Sequence, residues 1–491
     1  MGIRSAITIA LLAGCSTEFT AMPCAVDGDC GDGLVCELRE AHPVCVAAAD
    51  APLLIGQSAP VSGTNQALGT AMKLGISLAF DERNAAGGIR GRQLQLDFRD
   101  DAYQPALAEA AARALVDVQV GSAAPRCPTT SAVSTTTLDR GPNAVLAFLG
   151  NVGTPTMVRA APVAVESGTL FFGAFTGATT ILRDSQTGAC GKYIFNVRAS
   201  YAQEARATVE YFKKKGVPDY RAIISFDQND SFGQAGYDGL VAGYQQVIGA
   251  FPGGADPTNP IVRFRYARND DTSVPAQAAA AESYIANLLG TGSNTVSVGV
   301  MMTDTYGAGA QFIQALRTWQ FDGQQTTLNK ATRLKLYFSN VSFVGPNSLS
   351  DRLVAAGTVS TPTGNMPMTT DVVISQVVPN YQSDTSDVVV AYNKLVASSG
   401  AAPSFTSLEG YIAARVFIAG LEAHHGPFTP DALITTFEAL PDLGLGIGAT
   451  SGFGATNHQY SSSVWGTSIQ PDGKFKNLYF WSSGIPIQFF E

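Results

Sequence analysis

The stretch that most constrains this chain runs from Leu53 to Leu107. Leu53 to Gly56 is a short apolar run and predicts a buried strand. Ser58 to Thr64 is a loop of small, turn-forming residues. From Gln66 the spacing becomes helical, with Leu68, Met72, Ile76 and Phe80 four apart. Gly87 and Gly88 end that helix. Arg92 to Arg99 then alternates, Leu94, Leu96 and Phe98 on one face and Gln93, Gln95 and Asp97 on the other. Pro105 opens an Ala-rich second helix. Strand, helix, strand, helix in this order predicts a βαβ unit and a parallel sheet.

These residues also carry a resemblance. IGQSAPVSG, then LGTAMKLGISLAFDERNAAGGIRGRQLQL, then the pair Asp100-Asp101 resemble the opening of the leucine/isoleucine/valine-binding type of periplasmic solute-binding protein. The resemblance runs from Leu53 to the C-terminus. The loop Phe175 to Ala178, the run Asn196 to Tyr201 and SLEGYIAARVFIAGL from Ser407 resemble one branch of that family. It implies an α/β fold of two doubly wound parallel-sheet lobes, joined by a hinge of three crossovers and here preceded by a small disulfide-rich segment. We expect lobe one at 51–197 plus 379–470 and lobe two at 198–378 plus 471–491.

Met1 to Gly14 reads as an export signal, with Arg4 before an apolar run and small residues after it. Leu12-Ala13-Gly14-Cys15 resembles a bacterial lipobox, which would make Cys15 an acylated N-terminus. An ordinary secretory signal is the alternative. Ser16 after the cysteine leans towards an outer-membrane anchor, by resemblance to known sorting rules. Residues 15–49 form a Cys-rich segment, read as a spacer. Its Cys24, Cys30, Cys36 and Cys45 are separated by five, five and eight residues. Zinc knuckles favour closer spacing. In an exported, oxidised chain two disulfides are the better reading, and three pairings stay open. Asp27, Asp29 and Asp32 read as an acidic solvated turn in preference to a calcium site. Cys127 and Cys190 remain to bridge, pinning the Ser/Thr-rich insertion at Gly121 to Asn143.

With 31 basic and 40 acidic residues the net charge is −9, which argues against nucleic acid as a partner. Beyond the leader no apolar run reaches the ~18 residues of a membrane span. No G-x-S-x-G elbow, H-E-x-x-H or P-loop is present. Of four histidines, His424 and His425 sit at a helix end and point to different faces. No metal or cofactor is expected, and the chain reads as a binder, not an enzyme.

In open α/β sheets, ligands sit outside the carboxyl ends of the strands. In lobe one this selects the loops Asn151, Gly153, Thr154 and Phe175, Thr176, Gly177. Thr154 is expected to cap the next helix, with Pro155 at its first position. Free N–H groups there favour an anion, so a small carboxylate is the natural guest. By resemblance, these loops grip the carboxylate and amine of an amino acid through serine and threonine. Asn151 departs from that pattern, and it would serve a carboxylate, amide or hydroxyl. Lobe two is expected to add Tyr201, Phe232, Asp304, Tyr306, Asn340 and Ser342. Asp304 is the candidate partner for a ligand ammonium. The expected function is a lipid-anchored, extracytoplasmic protein that traps a small amino acid or carboxylate for an ABC-type permease. A sensor or scavenger without a permease is the alternative.

Overall fold

A computed structural model describes residues 22–37, 43–181, 188–448 and 451–490. The leader and Cys15 lie outside the described residues. Lobe one is built on five parallel strands in the order Leu94–Asp100, Leu53–Ala59, Ala147–Leu149, Leu170–Phe172, Ile194–Phe195. Helices cover both faces, so the central strands read as apolar runs and not as alternation. The edge strand at Leu94 begins with Leu94 buried and Gln95 exposed, but Leu96, Asp97 and Phe98 are all half-buried, as an edge allows.

The Gln66–Ala85 helix buries Leu68, Met72, Ile76 and Phe80 along one stripe. Each such burial is worth roughly 1.5–3 kcal/mol over exposure. Its partner is the Phe405–Ala423 helix, which returns to lobe one from far down the chain. Gly75 makes the contact possible: a Cβ there would lie 1.9 Å from the Ser407 carbonyl oxygen. Any larger residue would force these two helices apart.

Lobe two carries eight strands in the order Val262–Tyr266, Ile223–Gln228, Val296–Thr303, Leu334–Asn340, Val372–Gln376, Val464–Ile469, Phe475–Ser482, Ile485–Phe489. The first five are mutually parallel and the last three antiparallel. This corrects two expectations. The strand expected at Tyr460 to Trp465 starts at Val464, and the whole Val464–Ile469 strand belongs to lobe two, although lobe one was expected to run to 470. Tyr460 to Ser463 instead make the crossing. Asn196 donates its N–H to the His458 carbonyl (2.7 Å) and accepts one from Tyr460 (2.7 Å). The first and third crossings are therefore stitched side by side. Backbone hydrogen bonds satisfied by the neighbouring crossing need no sheet, so polar, Ser-rich sequence suffices there.

The N-terminal segment is a hairpin, Leu34–Glu37 with Val44–Ala47, closed by Cys24–Cys36 and Cys30–Cys45. It is docked against lobe one. Asp27 pairs with Arg90 at 3.3 Å, and Arg90 lies 3.8 Å over the Phe428 ring. Glu37 faces Arg92 at 3.8 Å, both side chains buried. Asp27 and Asp29 are used locally, accepting N–H groups from Cys36 and from Ala25 and Val26. Cys127 and Cys190 form the third disulfide, with Cα atoms 5.9 Å apart. A short ladder pairs Gln119–Val120, just ahead of the Gly121 to Asn143 insertion, with Leu138–Asp139 inside it. Among the described residues, no helix is long and apolar enough to cross a membrane.

Candidate functional site

The carboxyl ends of the lobe-one strands are tied together before any ligand is considered. Asn151 Oδ1 accepts the Ser58 N–H (3.2 Å), and Gln57 Nε2 donates to the Gly150 carbonyl (2.8 Å). Ser58 Oγ donates to Asp101 (2.6 Å), which also accepts the Tyr103 N–H (2.9 Å). Burial pushes the Asp101 carboxyl up to about 6, against those two bonds. Ala102 and Tyr103 both adopt left-handed backbone conformations, φ 48° and 60°. Non-glycine residues rarely do so, and the cost is tolerated where the surroundings hold the turn. The turn buries the Tyr103 ring completely against the cleft loops.

Gly153, with φ 95°, lets the 151–154 loop pass that ring; a Cβ there would lie 2.3 Å from it. The helix behind the loop begins at Thr154, and Gly153 is its N-cap. This corrects the capping role expected of Thr154. Its Oγ1 instead meets Thr176 Oγ1 at 2.7 Å, because the isolated bridge Val152–Phe175 brings the two loops edge to edge. The Gly177 carbonyl accepts the Tyr201 N–H (2.7 Å), and Thr176 Oγ1 lies 3.5 Å from the Tyr201 hydroxyl. Burial holds that phenol up, at about 12.

Lobe two meets these loops with rings. Phe343 lies 4.7 Å from Phe232, 4.9 Å from Phe175 and 6.2 Å from Tyr103, centroid to centroid. Phe232 also packs on Tyr201 at 5.5 Å. Phe343 is thus one residue through which the two lobes touch at the cleft centre, and Gln228, whose Nε2 lies 3.5 Å from the Tyr103 hydroxyl, is another. At the rim, the Tyr306 hydroxyl donates to the Thr64 carbonyl, and Asn65 Nδ2 donates to Asn269 (2.8 Å). Both bonds cross between lobes.

Behind the rings lies a buried charge cluster. Arg198 pairs with Glu204 (2.8 Å) and Glu409 (3.1 Å) and bonds Ser342 Oγ. Glu204 also accepts the Ser342 N–H (2.7 Å) and the Ser375 hydroxyl (2.6 Å). Arg198 comes from the first crossing, Glu204 from a lobe-two helix and Glu409 from a lobe-one helix. Burial pushes the Glu409 carboxyl up to about 7; Arg198 opposes this and Glu204 adds to it.

Asn151, Gly153, Thr154, Phe175, Thr176, Gly177, Tyr201 and Phe232 are brought together at the cleft. Ser342 is committed to the charge cluster. Asp304 sits deeper, fully buried, its Oδ1 accepting from Asn340 Nδ2 (2.7 Å). Burial drives its carboxyl well above the usual range, with Asp271 and Asp227 adding to that. Those surroundings disfavour an isolated carboxylate there, and its Oδ2 has no hydrogen-bond partner among the described residues. Sequence reasoning missed Tyr103, Phe343 and the Arg198–Glu204–Glu409 cluster. A signal existed for Glu409, a lone acid in the apolar run from Leu408 to Leu421. Tyr103 follows a strand end, where the general rule for open sheets looks first.

A family profile described as periplasmic binding protein matches residues 52–141 and 128–474. The Leu/Ile/Val-binding protein homolog 2 of Brucella abortus is 40% identical over 55 residues, which is 11% of this chain and 15% of that relative. Homolog 8 of Brucella abortus is 25% identical over 454 residues, covering 88% of this chain and 91% of the relative. The crystal structure of a possible leucine/isoleucine/valine-binding protein from Rhodopirellula baltica superposes with a TM-score of 0.66. It is 29% identical, over 88% of this chain and 96% of that one.

Proposed function

This chain belongs to the periplasmic binding protein family, an extracytoplasmic family of solute-binding proteins and not of enzymes, and from that premise we propose that it traps a small carboxylate or amino acid bearing an apolar body. One observation carries the proposal. Loops from both lobes converge on a single buried place that offers hydroxyls on one side and aromatic rings on the other. The Thr154–Thr176 pair and the Asn151 amide, whose Nδ2 has no partner among the described residues, suit a polar head group. Tyr103, Phe175, Phe232 and Phe343 suit an apolar body. Entry requires the lobes to part about the crossings, since Phe343 stands between them. The ligand then shifts an open–closed equilibrium by its contacts with both sides.

In this reading Cys15 carries a lipid anchor and a permease of the ABC type receives the solute. Ser16 after that cysteine favours a second reading, an outer-membrane-anchored sensor or scavenger that meets no permease. Cell fractionation separates the two, since exclusive outer-membrane recovery removes direct delivery to an inner-membrane permease.

The test of the cleft is native mass spectrometry of the purified protein, followed by a thermal-shift panel of amino and carboxylic acids. A ligand at ~100 times its Kd stabilises by ~2.7 kcal/mol. Thr154→Val should weaken the best hit at least tenfold, or ~1.4 kcal/mol, and leave the empty protein's melting temperature nearly unchanged. Equal affinity in both proteins would show that the cleft is not where the solute binds.

A further inference from the structure

The opposite ends of the lobe-one strands enclose a cavity of about 540 Å³, bounded by the docked N-terminal hairpin and by the Cys127–Cys190 disulfide. Small-molecule sites span roughly 300–1,000 Å³. Its apolar wall includes Leu54, Leu146, Val165 and Phe428. Its polar wall holds four cations and four carboxylates, and the pairing among them is uneven. Arg92 faces Glu37 at 3.8 Å, Arg126 pairs with Asp139 (2.9 Å) and Glu166 (3.2 Å), and Lys192 pairs with Asp431 (2.7 Å). Every carboxylate of the wall is thereby engaged.

Arg140 is the exception. Its guanidinium donates to Thr169 Oγ1 (3.1 Å) and to the Ala144 carbonyl (3.2 Å), both neutral acceptors. Among the described residues no carboxylate pairs with it. Two of its five N–H donors are used in these bonds, which leaves three. Burial without a counter-charge pulls its basicity down, to about 10. A half-buried cation left uncompensated beside an apolar wall is costly in an empty protein. A bound anion would relieve that cost.

We infer that the base of lobe one is a second binding site, for a small organic monocarboxylate whose head group pairs with Arg140 and whose apolar body lies on Leu54, Leu146 and Phe428. The wall's four cations and four carboxylates balance overall, but Arg126 takes two of the carboxylates, so the head group is recognised by Arg140 alone and a single carboxylate suffices. The planar fork of arginine matches a carboxylate through two parallel hydrogen bonds. The site stands apart from the cleft, at the other end of the same strands, and does not depend on what the cleft binds.

The test titrates the full chain with octanoate by calorimetry and by ligand-observed NMR, beside octanamide and octyl phosphate. Arg140→Gln should weaken octanoate at least tenfold, Arg140→Lys less, and Thr154→Val within twofold of the unaltered protein. Octanamide, isosteric but neutral, should bind at least tenfold more weakly than octanoate. The inference is overturned if octanoate does not bind, or binds Arg140→Gln as it binds the parent. It is equally overturned if octanamide matches octanoate, if octyl phosphate binds tighter, or if only Thr154→Val removes the signal. Should Arg140→Gln not fold, Arg140→Lys and the octanamide comparison on the unaltered protein decide the question.

Discussion

The two ends of the lobe-one sheet solve the same problem in opposite ways. At the carboxyl ends, the strand termini are locked by side-chain bonds and the space between lobes is filled by Phe343 and its neighbouring rings. At the amino ends, a disulfide and a docked hairpin surround a cavity with one uncompensated cation. The first is close-packed and depends on shape. The second is propped open and depends on cross-links and charge. A packed site must open to admit a guest, whereas a propped site is accessible in a closed protein.

Trimming each end tests this contrast. Phe343→Ala should cost ~3–5 kcal/mol in urea unfolding, because the ring is fully buried among others. Leu54→Ala, at the half-buried margin of the basal cavity, should cost only ~1 kcal/mol. Equal costs would mean that the two ends are packed alike. Removing the prop comes next. Cys127→Ala with Cys190→Ala opens a link between residues 63 apart in sequence, worth ~4 kcal/mol by chain entropy. It should also weaken binding at the base while sparing the cleft, as paired titrations of the two sites would show.

The third expected effect depends on pH. The Glu409 carboxyl stands at about 7 when folded, above its ordinary value, so the folded protein holds its proton more tightly. That contribution to stability is full below the ordinary carboxylate range and is lost as pH rises through about 7. At ~1.4 kcal/mol per pH unit it amounts to a few kcal/mol at most. Asp101 works in the same direction over a narrower window ending near 6. Denaturant midpoints should therefore fall between about pH 5 and 8, and Glu409→Gln should flatten that slope. An unchanged slope would place the proton elsewhere. The smallest effect concerns the hairpin. Arg90→Ala removes a partly exposed ion pair and a stacking contact, and should lower stability by ~1 kcal/mol or less. Limited proteolysis would then release the segment ahead of Leu53 sooner than in the parent.

Local sequence was enough for elements whose pattern is local. The Gln66–Ala85 helix, the Pro105 helix start and the Thr429 cap with Pro430 behind it are legible from spacing and capping chemistry alone. The crossing at Tyr460 to Ser463 resembles a strand locally, because its backbone partners, Asn196 and Val197, lie some 260 residues earlier in the chain and leave no local mark. Thr154 looked like a helix cap because nothing local announces that Thr176 will stand 2.7 Å from its hydroxyl. Ser342 looked like a ligand group, yet its neighbour Phe343 reaches the cleft while Ser342 turns back to Glu204.

The sequence by itself determined the alternation of strand and helix, the parallel sheets and the even cysteine count of the N-terminal segment. These follow from periodicity, capping and redox chemistry, each a property of a few neighbouring residues. Only the tertiary structure decided which cysteines pair, which lobe takes the last strands, that Phe343 closes the cleft and that Arg140 lacks a counter-charge. Those outcomes depend on distances between residues tens to hundreds of positions apart. Burial and electrostatics act through space, and spacing along the chain does not encode them.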